Sequence, residues 1–353
     1  MIAARRTIRM WLWGSFTALL VFGGVTFAAE PLDTGPLRDK ANIFIPLSTP
    51  AEAILEASLL VSWICFGIFV VVGGLTAYAI WKFRKPRDDD QTEPPQVYGS
   101  LQIELAWTVI PILITVVLIL VTARTVGEIQ NAEMPDDALR IRLVGHQWWW
   151  EIHYPGLGIV TANEIHVPVS SPEARRITHF TLQSADVIHS FWVPQLAGKT
   201  DCVPNRDNQT WIEPHKTGTY LGNCAEYCGT QHAGMRFRVV VHTPASFDAW
   251  VKNQQRPPVE DPAFAAGKLV FETTSCVNCH AIAGTNADGV FGPDLSHFAS
   301  RQTLAAGQRS LTRDNLKAWL ADPQAVKPGA LMPDMQLTPK QVDNLADYLL
   351  SLK

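Results

Sequence analysis

Between Cys224 and Met235 the chain reads Cys-Ala-Glu-Tyr-Cys-Gly-Thr-Gln-His-Ala-Gly-Met, which puts the thiols of Cys224 and Cys228, the imidazole of His232 and the thioether of Met235 within twelve residues. The segment is too rich in Gly and polar residues to be a core element. Soft sulfur donors with imidazole suit copper, zinc or iron–sulfur. Zinc and iron–sulfur sites call for more cysteines at CxxC spacing, and a mononuclear blue-copper site for one Cys, two His and an axial Met. Here there is one cysteine too many for that. Two thiolates four apart on a tight loop can instead bridge a pair of copper ions, with one imidazole capping each. His232 supplies one cap and Met235 a weak axial ligand. The other cap is expected from Ser184-Ala-Asp-Val-Ile-His189, where a strand-like run ends in a histidine. The alternative for Cys224 and Cys228 is a small disulfide, and the His and Met at fixed offsets weigh against it.

A second centre follows at Cys276-Val-Asn-Cys279-His280. C-x-x-C-H is the signature of covalent c-type haem attachment, in which both thiols reach the vinyl groups while the adjacent histidine coordinates iron. A plain CxxC redox pair is the alternative. The sixth iron ligand should be a methionine well after this motif, and Met332 and Met335 are the two candidates. His/Met ligation fills both axial positions and raises the potential, so such a domain only carries electrons.

The elements that must position these centres are unevenly distributed over the 353 residues, a length for two or three domains. A formal net charge of −4 gives no support to nucleic-acid binding. Of six cysteines, Cys65 and Cys202 stand alone, and Cys202 is read as a buried free thiol. Residues 1–29 combine a basic start (Arg5, Arg6, Arg9), an apolar run from Met10 to Phe27 and Ala28-Ala29, which predicts a secretory signal peptide. An uncleaved anchor is the alternative. A hairpin over 30–134 holds two uncharged spans near 57–80 and 105–123, each long enough for a bilayer of about 30 Å. The basic Lys82-to-Arg87 loop between them belongs in the cytoplasm by the positive-inside rule. Everything from about Gly127 onward is then extracytoplasmic. Glu104, at the start of the second span, points to a partner helix.

From Ala138 the pattern alternates with period two: Leu139, Ile141 and Leu143 against Arg140 and Arg142, and Met235 to Val241 against Arg236 and Arg238. Gly158–Val169 and Ile177–Leu182 are read as further strands. Short strands with Gly/Pro turns argue for a β-sandwich over 135–250. A distant histidine at one strand end and a ligand loop before the last strand is the cupredoxin arrangement. Residues 251–262, with Arg-Pro-Pro-Val-Glu-Asp-Pro, are read as a stiff linker, and 263–353 as the haem domain. Thr338 is a helix N-cap there, with Pro339 at the first helical position. His146, His153, His166, His179, His215, His242 and His297 are assigned to surface or turn positions.

With every position of C-x-E-x-C-x3-H-x2-M present, the copper loop resembles that of subunit II of the haem–copper oxidases, and the likeness covers nearly the whole chain. It implies that Cys224 and Cys228 bridge a binuclear copper centre (CuA), that His189 and His232 cap it, and that Met235 and the Glu226 carbonyl are axial ligands. The Glu226 side chain would face a magnesium site shared with subunit I, and Trp148 would be the point where electrons reach the copper. Trp150 is assigned to core packing. Leu101 to Pro111 resembles the segment that packs against subunit I. Pro204-Asn205-Arg206 departs from the family's Pro-Gly-Arg, but Asn tolerates the left-handed conformation of that turn. The tail resembles a class I cytochrome c: Ala266–Phe271 and Thr338–Leu350 match its two crossing helices, Gly292-Pro293 the turn that orients the proximal histidine, and Met332 the ligand loop. A membrane-anchored multidomain protein is therefore expected: a two-helix transmembrane hairpin, an all-β cupredoxin and an all-α cytochrome c domain. The resemblance implies the caa-type subclass, with electrons passing from haem c to CuA and on to subunit I, where oxygen is reduced to water with proton pumping. The implied partners are subunits I and III and an external donor, a cytochrome c or a quinol-oxidising complex. The implied location is the bacterial plasma membrane, crossed more than once, with the mature N-terminus and both metal domains outside. A nitric-oxide reductase subunit and a membrane-anchored copper-delivery protein are the alternatives.

Overall fold

The computed structural model describes residues 42–84, 93, 95–259 and 261–353. The 1–29 segment read as a signal, and Lys85 to Arg87 of the basic loop, lie outside them.

Two long helices come first, α1 (Thr49–Lys82) and α2 (Leu101–Gln130). Their 34 and 30 residues rise through roughly 50 and 45 Å, more than the hydrocarbon core of about 30 Å. The uncharged spans are thus only the middles of the helices, and apolar side chains are exposed along both. The outer ends are tied to the β-domain. Pro50 and Ala51 at the start of α1 are buried, Thr49 Oγ1 donates to Glu213 Oε2 at 2.9 Å, and the Glu213 amide donates to Ser48 Oγ at 2.9 Å. The indole of Trp211 donates to the Ile129 carbonyl, near the end of α2, at 2.7 Å.

The β-domain is two five-stranded sheets packed face to face. The first contains β1 (Leu139–His146), β2 (Trp149–Tyr154), β3 (Ile159–Ala162), β5 (Thr178–Ser184) and β8 (Asn208–Ile212), in the order β3-β2-β1-β5-β8. The second contains β4 (Glu164–Pro168), β6 (His189–Trp192), β7 (Thr200–Cys202), β9 (Gly218–Cys224) and β10 (Arg236–His242), in the order β4-β10-β9-β6-β7. Between them Phe180, Phe191, Phe237 and Trp150 pack with centroids 5.0 to 5.2 Å apart. Such pairs are worth about 0.5–1.5 kcal/mol each beyond the area they bury. Trp150 is fully buried, as core packing requires, and so is the free thiol of Cys202.

The Gly158–Val169 run is not one strand. It breaks at Asn163, whose φ of 62° turns the chain from the first sheet into the second. The Asn163 side chain holds this corner by accepting the Trp150 amide at 2.9 Å. Arg238, which alternation puts outward, is buried, and so are His166 and His297, which were assigned to surface or turn positions. Over β4 and β10 the outer face of the second sheet is not open to solvent. A helix α3 (Pro244–Gln254) lies there, with Trp250 stacked on His166 at 4.4 Å, and the tail meets Glu164 and Arg236 through Thr303 and Ala306. The linker therefore begins only after Gln254, because Thr243 caps α3 and Pro244 starts it. Asn205 takes a φ of 59°, the left-handed turn expected of Pro204-Asn205-Arg206.

The tail folds as α4 (Ala265–Thr273), α5 (Arg313–Ala321), a single turn α6 (Pro323–Val326) and α7 (Pro339–Ser351), with a small hairpin of β11 (Thr303–Leu304) and β12 (Arg309–Ser310). Thr338 and Gln341 form a reciprocal capping box at the start of α7. The core joins Val270 and Phe271 of α4 to Leu345 and Leu349 of α7. These helices cross at Gly267, where a Cβ would lie 2.0 Å from the Asn344 carbonyl oxygen and 2.6 Å from the Tyr348 Cβ. Backbone cannot yield there, so Gly267→Ala should overpack the crossing and cost about 1–3 kcal/mol. Thermal unfolding of the detergent-solubilised chain, followed through the haem-domain signal, should show a lower midpoint; an unchanged midpoint would contradict this packing.

Candidate metal centre

Neighbouring strands of the second sheet deliver the donors. His189 opens β6, Cys224 closes β9, and Phe191 of β6 pairs in register with Cys224. The loop then returns to β10, pinned by the Cys224 amide donating to the Met235 carbonyl at 3.0 Å. The Sγ atoms of Cys224 and Cys228 stand 3.8 Å apart, well beyond a disulfide bond of about 2.05 Å. His189 Nδ1 lies 3.9 Å from Cys224 Sγ and His232 Nδ1 3.7 Å from Cys228 Sγ. Met235 Sδ is 3.9 Å from Cys228 Sγ, and the Glu226 carbonyl oxygen 3.2 Å from Cys224 Sγ. All six residues singled out in the sequence thus converge. His189 and Met235 are fully buried and both cysteines are buried, while Glu226 and Tyr227 are exposed on the same loop.

Asp186 received no role from the sequence, yet its carboxylate accepts His189 Nε2–H at 2.7 Å. This fixes the tautomer and turns Nδ1 toward the thiols. The carboxylate is itself held by the amides of Gln147 and Val187, each at 2.6 Å. Burial alone would lower the His189 pKa, but the hydrogen bonds to Asp186 and Cys224 leave it raised. An Asp three residues before a candidate ligand, on the turn leading into its strand, is the signal that could have found it. Gly145 makes room for the ring, since a Cβ there would lie 2.8 Å from His189 Cδ2. The two thiols act on each other: their hydrogen bond pulls Cys224 far below the ordinary thiol range and pushes Cys228 up. One sulfur is therefore primed as a thiolate, the form that binds metal. Paired sulfurs with an imidazole beside each fit a two-copper centre better than one tetrahedral ion. Above the loop, the Trp148 indole and the Gln147 side-chain amide both donate to the Cys228 carbonyl, at 2.9 and 2.7 Å.

In the tail, Cys276 and Cys279 flank a 3-10 turn, and the His280 amide donates to the Cys276 carbonyl at 3.0 Å. His280 Nδ1–H donates to the Pro293 carbonyl at 2.7 Å, which leaves Nε2 as the free ligand atom. The residues fit a haem in a further respect. Val290, Phe291 and Leu331 are large apolar side chains left exposed; they adjoin Gly292, whose Cα faces the His280 ring, and Met332. A porphyrin would cover such a surface. Met332 packs against the helical core alongside Cys276. Met335 is half-buried elsewhere on the loop.

The family model for the transmembrane domain of cytochrome c oxidase subunit II matches residues 47–124, that for its periplasmic domain 158–243, and the cytochrome c model 264–353. Cytochrome c oxidase subunit 2 of Alkalihalophilus pseudofirmus is 37% identical over 302 residues, 83% of this chain and 83% of its own. The Bacillus sp. (strain PS3) protein of the same name is 36% identical over 291 residues, 77% of this chain and 80% of its own. The crystal structure of the periplasmic domain of subunit II of cytochrome oxidase from Bradyrhizobium japonicum is 31% identical and covers 35% of this chain and 97% of that one, with a TM-score of 0.32. With relatives at this identity along most of its length, and all three models matched in order, the chain belongs to the cytochrome c oxidase subunit II family.

Proposed function

We propose that this chain is the electron-input subunit of a caa-type respiratory oxidase, passing electrons from its own haem c to a binuclear copper centre and on to subunit I. Oxygen is reduced to water there, with proton pumping. Membership of the family makes the chain part of an oxidoreductase complex, anchored in a bacterial membrane with periplasmic domains. The observation that carries the finer reading is the convergence of two separate thiols, two imidazoles and a thioether from one loop and the start of β6, on the same chain as a C-x-x-C-H turn with its histidine already oriented.

When bound, the copper pair and the haem supply one-electron carriers at potentials their ligands set. Cys224, Cys228, His189, His232, Met235 and the Glu226 carbonyl would together hold the copper pair. Cys276, Cys279, His280 and Met332 would hold the haem. The chain's own part is to keep these donors still. They stand on a close-packed core, and Asp186 and the Pro293 carbonyl lock two imidazoles. A site that does not rearrange and excludes water has little to reorganise when its charge changes. Trp148, bonded to the Cys228 carbonyl, is the route by which electrons reach the copper. The exposed Glu226 carboxylate is free to share a magnesium ion with subunit I. α1 and α2 both cross the membrane, and the face of α2 that carries Glu104 meets subunit I; subunit III and an external cytochrome c or quinol-oxidising complex complete the partners.

Replacing Cys224 or Cys228 with Ser should abolish oxygen consumption by the purified complex while the c-type haem remains reducible. Normal turnover in either variant would overturn this function. A milder change, Asp186→Asn, keeps the shape but not the charge that orients His189. Loss of an outer partner of this kind weakens metal binding by about 10–100-fold. Copper should accordingly be stripped by a chelator that leaves the unmodified chain intact, and equal retention would remove Asp186 from the site.

A further inference from the structure

The seam between the sandwich and the haem domain is built around a buried lysine. Lys327 is only 3% exposed. Its ammonium donates to the Trp148 carbonyl at 2.7 Å, the Gly234 carbonyl at 3.2 Å and the Ala305 carbonyl at 3.3 Å. A lysine has three donor hydrogens and no acceptor, so these bonds use it fully. None of the three acceptors is a carboxylate, which sets Lys327 apart from an ordinary ion pair. Two acceptors belong to the sandwich: Trp148, whose indole bonds the Cys228 carbonyl, and Gly234, the neighbour of Met235. The third is on the β11–β12 turn, where Ala305 and Ala306 take positive φ values of 54° and 57° and aim their carbonyls at the seam. The adjoining contacts run the same way. Gln231 of the copper loop donates to the Pro328 carbonyl at 2.6 Å, Gln308 donates to Gln231 Oε1 at 2.9 Å, and the Arg236 amide donates to the Ala306 carbonyl at 3.1 Å. The chain that leads from Lys327 to Met332 is thus laid directly on the copper loop.

Burying an ammonium is strongly unfavourable unless every donor is met. Those donors are met only when the two domains are together, because Lys327 sits in one and two of its acceptors in the other. We propose that Lys327 is a positioning residue, a latch whose buried ammonium holds the Met332 loop against the Trp148 backbone and the copper loop. It thereby keeps the haem domain in a single docked register. The proposal rests on the relay reading above and deepens it: the chain's own haem domain permanently occupies the face through which electrons reach the copper. A soluble donor is then confined to the haem domain.

The test uses the complete, assembled oxidase carrying Lys327→Met or Lys327→Arg. Transfer between haem and copper is followed after a light flash, and amide hydrogen exchange is measured over residues 229–235 and 303–308. Losing charge-assisted hydrogen bonds of this kind shifts a docking equilibrium by about tenfold or more. Lys327→Met should therefore speed exchange in both segments by about that factor and slow the transfer, with c-type haem and copper absorption unchanged. Lys327→Arg, which keeps the charge and the donors, should retain most of the rate. Unchanged transfer and unchanged exchange in Lys327→Met would overturn the latch. Should that variant fail to assemble, Lys327→Gln keeps a polar group at the seam without the charge, and unchanged transfer and exchange in it would equally overturn the latch. Absence of haem-to-copper transfer in the unmodified complex would instead defeat the relay reading itself.

Discussion

Two buried sulfurs must stay 3.8 Å apart, close enough to share a metal pair yet never joined to each other. The rest of the molecule depends on that separation. A flexible loop in an oxidising compartment would let Cys224 and Cys228 close a disulfide. Here the loop is clamped at its neck by the hydrogen bond between Cys224 and Met235 and from above by Trp148 and Gln147 on the Cys228 carbonyl. Each clamp is anchored in turn in a core of aromatic rings that cannot shift singly, because interiors are close-packed. The sandwich therefore acts as a jig, and the donors need not search for their geometry when metal arrives.

Most of the site could be read from the sequence because most of it is local. Cys224, Cys228, His232 and Met235 lie in one loop, and the haem motif in five residues. His189 is distant, and the run expected to be strand-like up to it is instead the turn between β5 and β6, which His189 opens. What escaped reading depends on contacts between segments far apart. Arg238 follows the alternation of its strand and should face water, yet the outer faces of β4 and β10 are covered by α3 and the haem domain. Period two reports which side a residue is on, not whether that side is wet. His166 was misplaced for the same reason. Lys327 bears no local mark at all, since a lysine before Pro-Gly reads as a surface turn.

The copper loop has two flanks with different surroundings. On one, Gln231 and Gly234 are engaged by the haem domain. On the other, Glu226 and Tyr227 are exposed, Tyr227 by 76%, with its ring edge-on to His232 at 5.8 Å. Tyrosines at the rim of a functional loop are common where another protein will sit. Two flanks with different surroundings on one loop let a second protein approach one side while the haem domain keeps the other. The tether of α1 and α2 to Glu213 and Trp211 adds a fixed relation to the membrane surface.

Charge at the seam does a different job from apolar burial. Glu164 is 1% exposed and accepts the Gln302 and Thr303 amides and the Thr303 hydroxyl across the junction. Burial pushes its carboxyl up, and those hydrogen bonds, with Arg238 and Arg301 nearby, only partly offset the effect. Buried charges of this kind add little net stability, because desolvation consumes most of the gain. Displacement is another matter. A one-residue slip of the haem domain would leave the Glu164 carboxylate and the Lys327 ammonium unsatisfied together, and unpaired buried charges are costly. The two ends of the seam thus both oppose displacement from the observed register. An apolar interface of equal area carries no such penalty and would tolerate sliding.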